Sequence, residues 1–170
     1  MQMTHIDAEA RYAQLRLTAL KAAQAQTPSN LGLSFRLFDD DAFAASKAWS
    51  AFSERRVNWD WLYSYPAFKF RHPKRFELAL WHQNNLASLS LGRPTRNAAG
   101  LRLDFLEGSP ENRNLKVVPF VLLAMAVYAE SLGATEIRLV QPINDTVRKY
   151  YEGFGMQYVR KGDFLFMRLG

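Results

Sequence analysis

Three stretches of this 170-residue chain gather side chains able to do chemistry. The first runs from Asp104 to Pro119. It holds two carboxylates, Asp104 and Glu107, and then the polar and basic run Ser109-Pro110-Glu111-Asn112-Arg113-Asn114-Leu115-Lys116. The second, Gln141 to Met156, holds Asn144, the adjacent Tyr150 and Tyr151, Glu152, Gly153 and Gly155. The third spans 55–75. There Trp59, Trp61, Tyr63, Tyr65, Phe68 and Phe70 alternate with polar residues among Arg55, Arg56, Lys69, Arg71, Lys74 and Arg75. Rings in such a setting can wall a pocket for a flat or apolar ligand, and basic residues interleaved with rings also suit RNA. Other chemistries are excluded. The chain has no cysteine, so it has no thiol nucleophile, no disulfide and no cysteine-based zinc or iron–sulfur site. His5, His72 and His82 lack metal-ligand spacing, and no Ser-His-Asp set can be assembled. No metal is expected. The three histidines read as surface or turn residues, with His82, at a strand end, a minor candidate for a base.

Composition sets the frame. The length suits one domain. Hydrophobic residues at 48% and charged residues at 22% are ordinary globular values, which excludes disorder for most of the chain. Twenty-two Lys and Arg against 16 Asp and Glu leave a net charge of +6, which draws nucleic acid, acidic proteins or a phosphorylated cofactor. The longest apolar run, Val117 to Ala129, contains Pro119 and falls short of the ~20 residues of a membrane span. Met1 to Asp7 shows no basic lead followed by an apolar block. The expectation is a soluble, cytoplasmic protein with no membrane partner.

The elements that must position these residues follow from spacing. Thr4 and Asp7 form a capping pair for a helix reaching about Gln26. Leu33, Phe35 and Leu37 alternate as a strand, and Asp39-Asp40-Asp41 can cap a helix from Phe43 to Phe52. Residues 55–75, limited by Pro66 and Pro73, read as irregular. Phe76–Trp81, Leu86–Leu91 and Leu101–Phe105 read as an antiparallel meander. Arg113 to Leu132 reads as a long, buried apolar helix stopped by Gly133, and Thr135 to Val140 as a strand. Strand, helix and strand make a βαβ crossover with a parallel pair. A short helix from Asn144 or Asp145 to Tyr151 and a hairpin of Met156–Arg160 with Phe164–Leu169 complete one mixed α/β domain.

In that order of elements, Gln141 to Met156 resembles the closing motif of the GNAT N-acetyltransferases. Asn144 begins the helix, Tyr151 and Glu152 form the Tyr-Glu pair, and Gly155 precedes the next strand. The resemblance covers about Leu31 to Leu169. It implies a GNAT-like, mostly antiparallel mixed sheet with a central βαβ crossover over residues 31–170, flanked by helices, and makes residues 1–30 an N-terminal helical extension. It implies an acetyl-CoA-dependent N-acetyltransferase acting on a primary amine in a ternary complex. Acetyl-CoA would be the co-substrate, held by Leu106, Arg113, Asn114, Leu115, Lys116, Val117, Val118 and Asn144. Tyr151 would return a proton to sulfur. Glu107 would serve as base, ranked above Asp104 because strand alternation turns Asp104 to the opposite side. Trp59, Trp61 and Tyr63 would wall the acceptor site. Arg113 matches the basic position of the family's pyrophosphate loop, while Asn114, Lys116 and Val118 stand where the family carries glycines. The acceptor would be a small-molecule or protein amine, with an aminoacyl-tRNA less favoured, and the family often forms homodimers. The alternative is a catalytically inactive GNAT-like domain that binds a protein or nucleic-acid partner.

Overall fold

The computed structural model describes residues 4–111 and 114–170. Its first helix, α1 (His5–Ala25), opens as the capping pair predicts. Thr4 Oγ1 accepts from the Asp7 amide at 3.1 Å, and Asp7 Oδ2 accepts from the Thr4 amide at 3.2 Å. Strand β1 (Leu33–Arg36) and helix α2 (Asp40–Lys47) follow, the latter capped by Asp39. Helix α3 (Trp61–Arg71) precedes the meander β2 (Phe76–His82), β3 (Asn85–Pro94) and β4 (Gly100–Gly108). Helix α4 (Val118–Ser131) crosses to β5 (Glu136–Val140), and α5 (Asp145–Glu152) leads to the hairpin β6 (Gln157–Val159) and β7 (Phe164–Arg168).

The strands form one seven-stranded sheet in the order β1-β2-β3-β4-β5-β7-β6. Every neighbouring pair is antiparallel except β4–β5, the parallel pair made by the α4 crossover. One face carries an aliphatic core in which Ala19 and Leu20 of α1 and Met125 and Tyr128 of α4 meet Leu78, Leu80, Leu101 and Ile137. The other carries a largely aromatic core, where Phe38, Phe43, Trp49, Trp61 and Tyr65 meet Trp81, Leu89 and Leu91. Each large apolar side chain so buried contributes ~1.5–3 kcal/mol.

Two expectations are corrected. The crossover helix starts at Val118 rather than Arg113. Pro119 stands in its first turn, where a missing amide costs nothing, and residues 114–117 lie outside the helix. The 55–75 stretch is not all irregular, because residues 61–71 are helical. Asp60 caps that helix by accepting from the Tyr63 amide at 3.0 Å, and Pro66 sits on its exposed side. Trp61, Tyr65 and Phe68 then share the inward face at i, i+4 and i+7.

Candidate functional site

Strand β4 carries a bulge that shapes the site. Leu91 pairs with Phe105 and Gly92 with Leu103, so Asp104 is the extra residue. A Cβ on Gly92 would lie 2.1 Å from the Arg102 carbonyl oxygen, so only glycine lets the two strands approach there. Leu101 and Leu103 face the aliphatic core. Beyond the bulge, Phe105 packs against Trp59 and Phe68, and Glu107 bonds Trp61, all on the α3 side. Asp104 binds Arg102 on that same side, at 2.6 Å. The alternation that separated Asp104 from Glu107 is therefore reset by the bulge, and Asp104, Phe105 and Glu107 share one face.

The same stretch of β4 is open on its other edge. Pairing with β5 covers only Gly100–Leu103 against Glu136–Leu139, so Asp104–Gly108 have no β5 partner. These backbone groups are open on the β5 side, which leaves a gap in the sheet where β5 ends. The chain then passes to the N-terminus of α4, where Val117 stands at the cap and no side chain caps the helix. Val118 is buried in the aliphatic core, and Leu106, Leu115 and Val117 pack against it, while Asn114 and Lys116 are exposed. Arg113 lies outside the described residues. Left-handed backbone at non-glycine positions occurs at Gln83, Ala98, Gln141 and Asp163, and at none of Asn114–Val118. Asn114–Val118 follow their course without the conformations that call for glycine. Pro119 brings no amide to the start of α4 and the Phe120 amide donates to the Val117 carbonyl at 3.1 Å, so what this end of the helix can offer a diphosphate is the Val118 amide, the amides just before it and the Lys116 ammonium.

Helix α5 supplies the other expected residues. Asn144 Oδ1 accepts from the Val147 amide at 2.9 Å and so caps the helix. Tyr150 is exposed, whereas Tyr151 is half-buried against the aliphatic core, 5.7 Å from the Tyr150 ring. Burial first, and then Tyr150, push the Tyr151 phenol up to about 12. It is therefore a proton donor throughout the neutral range.

On the α3 face lies a cavity of about 190 Å³, lined among others by Trp59, Trp61, Phe68, His72, Leu91 and Phe105. Trp59 and Trp61 thus come together as expected. Tyr63 does not join them: it is 85% exposed, because a helix turns the second residue after Trp61 away from the sheet. Glu107 is buried with both oxygens occupied. Oε2 accepts from Arg55 Nε at 2.7 Å, and Oε1 from Trp61 Nε1 at 2.8 Å and Arg55 Nη2 at 3.0 Å. Its hydrogen bond raises the Arg55 pKa above its ordinary value. His72, which reads in the sequence as a surface or turn residue, lines this cavity; its signal was the helical spacing 61, 65, 68, 72. Burial and the nearby Arg93 hold its pKa below the usual histidine value. Among the described residues, no group of three His, Asp or Glu side chains could hold a metal ion.

No protein-family model matches the chain, and no curated protein does. Solved structures do match. The ribosomal-protein-S18-alanine N-acetyltransferase of Escherichia coli superposes with a TM-score of 0.60 over 81% of this chain and 94% of its own, at 11% identity. The spermidine N-acetyltransferase of Vibrio cholerae gives 0.60 over 81% and 94%, at 12% identity. The yncA structure from Salmonella typhimurium, which contains its cofactor acetyl-CoA, gives 0.52 over 82% and 95%, at 12% identity. The chain has the GNAT fold. Its seven-stranded order and its helices are those of a GNAT-like sheet, with α1 in addition. In this GNAT fold the β4–β5 gap, the α4 N-terminus and Tyr151 adjoin one side of the sheet, and the aromatic cavity adjoins the other.

Proposed function

We propose that the chain is an acetyl-CoA-dependent N-acetyltransferase acting on a primary amine in a ternary complex. One observation carries this reading: the gap beside Asp104–Gly108 leads to the uncapped N-terminus of α4, with a half-buried tyrosine on the following helix. Bound acetyl-CoA supplies an activated thioester. The Val118 amide, the amides just before it and the Lys116 ammonium hold the diphosphate. The open edge of β4 offers backbone groups to the amide-bearing arm, and Leu106 and Leu115 give it apolar cover. Asn144 fixes α5 and with it Tyr151.

The amine nitrogen bonds to the thioester carbonyl carbon, and the carbon–sulfur bond breaks. Tyr151 donates its hydroxyl proton to the departing sulfur. The burial that raises the phenol penalises a thiolate at the same place in the same way, which keeps the two matched. The surplus proton on nitrogen leaves to His72, directly or through a water, since a neutral imidazole can accept it. Glu107, saturated by Arg55 and Trp61, acts as a positioning residue in this reading. Holding both reactants in one frame supplies much of the acceleration.

The test is Tyr151→Phe. Turnover should fall by ~10²-fold or more, as loss of a general acid does, with acetyl-CoA affinity kept within about threefold. Undiminished turnover removes Tyr151 from the mechanism. Absence of acetyl-CoA binding to the unmodified protein, by calorimetry, removes the function.

A further inference from the structure

The aromatic cavity on the α3 face is lined by packed rings. Its rings meet edge to face: Trp59 and Phe105 at 5.2 Å and 82°, Trp59 and Trp61 at 5.8 Å and 83°, Phe68 and Phe105 at 6.3 Å and 75°. A ligand ring would join that array in the geometry aromatic quadrupoles favour. Size narrows the choice. An apolar cavity of ~150 Å³ takes benzene, whereas drug-sized ligands occupy ~300–1,000 Å³. The volume here, about 190 Å³, holds one ring with a short linker.

Charge narrows it further. A polyamine needs carboxylates for its second and third ammonium groups. Glu107 is closed by Arg55, and Asp104 is paired with Arg102 at 2.6 Å and Arg93 at 3.3 Å. Asp60, on the rim, caps α3, and Arg71 stands in the lining with it. Of the lining residues Asp60 is the one carboxylate, and Arg71 offsets it there, so the lining holds no net negative charge to receive a second ammonium.

We infer that the acceptor is an amine bearing a single aromatic ring and no second positive charge, with the ring seated among Trp59, Trp61, Phe68 and Phe105. This rests on the acetyltransferase reading for its place in a reaction, but the cavity can be tested without turnover. The ring belongs either to a free arylalkylamine or to the N-terminal residue of a peptide.

The experiment is calorimetric titration of the whole protein, with and without saturating coenzyme A, using phenethylamine, phenylalanyl-alanine, butylamine and spermidine as probes. At least one aromatic probe should bind tenfold or more tightly than butylamine and spermidine. Phenethylamine alone marks a small-molecule acceptor, and the dipeptide alone marks a peptide N-terminus. Trp59→Ala should weaken the aromatic probe at least tenfold with coenzyme A affinity unchanged. Phe68→Leu supplies the same reading should Trp59→Ala fail to fold. Spermidine or butylamine binding as tightly as the aromatic probes overturns the inference, as does aromatic binding that neither variant weakens. Aromatic binding without any binding of coenzyme A would remove the acetyltransferase function and leave the ring site standing.

Discussion

Two buried carboxylates on the α3 face, Glu77 of β2 and Glu107 of β4, are held by the same kind of partners. Each accepts from an arginine and from an aromatic donor of α3, and the two donors, Tyr65 and Trp61, lie one helical turn apart. Around Glu77 the set is large. Arg75 Nε donates at 2.7 Å, Tyr65 Oη at 2.5 Å and the Phe38 amide at 2.7 Å. Arg75 also grips Glu9 of α1, and Arg16 joins Glu9 and the Pro73 carbonyl. Burial alone would lower the Arg75 pKa, yet Glu9 and Glu77 hold it above its usual value. Around Glu107 the set is small. It ties Arg55, Trp61 and, through Arg55 Nη2 at 2.6 Å, the Trp59 carbonyl. The first cluster fastens α1, α3 and β2 together; it touches the cavity through Tyr65 and touches Trp61 through Phe38, while its ion pairs run away from the cavity to Glu9 and Arg16. The second ends on both tryptophans of the cavity wall. The same chemistry serves stability in one place and ligand geometry in the other.

Glu77→Ala should produce the largest effect. It takes the acceptor from Arg75 Nε, in a side chain 3% exposed that keeps Glu9, and from Tyr65 and Phe38. Breaking a buried pair on one side costs about 3–5 kcal/mol, read by urea denaturation. A loss below ~1 kcal/mol would break the contrast between the clusters.

His72 sharpens the contrast next, because the Glu107 side of the helix ends at a group able to titrate. Arg93, Asp104, Arg71 and Arg102 face it, and its pKa is lowered. The imidazole therefore stays neutral to a lower pH than in the unfolded chain. Its share of stability is present above pH ~6.5 and is lost as pH falls through the lower folded value. Acetylation of an aromatic amine should rise with pH along a limb centred below ~6.5. In His72→Asn that limb should vanish, with a rate loss of ~10²-fold at neutral pH. A limb that persists in the variant assigns the proton elsewhere.

Glu107→Gln is expected to cost less, about 1–2 kcal/mol of stability, since an oxygen remains for Trp61 while the charge opposite Arg55 is lost. Acceptor KM should rise about tenfold while turnover stays within about threefold, the signature of a displaced wall. Turnover reduced by two to four orders of magnitude, roughly what a general base supplies, would make Glu107 the base after all.

Much of the frame was legible in the sequence because its elements are locally consistent. The Thr4–Asp7 cap, the β2–β3–β4 meander, the α4 crossover and the Asn144 cap each carry their own signal, and each forms as read apart from the later start of α4 at Val118. The site was less legible for two physical reasons. Rings at 59, 61, 63, 65, 68 and 70 fit a two-residue period as well as a helical one, and Pro66 argued against the helix; only the inward set at 61, 65 and 68 decides it. A bulge cannot be seen in alternation, because Asp104 differs from its neighbours only in being opposite nothing. The partners of Glu107 lie 46 and 52 residues away, and no local pattern announces them.

The smallest expected effect tests that helical reading directly. The sequence groups Tyr63 with Trp59 and Trp61 in the acceptor wall, but α3 turns it to solvent at 85% exposure. Tyr63→Ser should change stability by no more than ~0.5 kcal/mol and leave acceptor KM within about twofold, as exposed substitutions do. Trp61→Phe, two residues earlier, removes one of the two donors to Glu107 Oε1 and should cost about 1–2 kcal/mol in the same denaturation measurement. A helix requires this inequality between near neighbours. Equal effects at 61 and 63 would mean that the segment does not present one face to the sheet, and the cavity would lose the wall on which its selectivity depends.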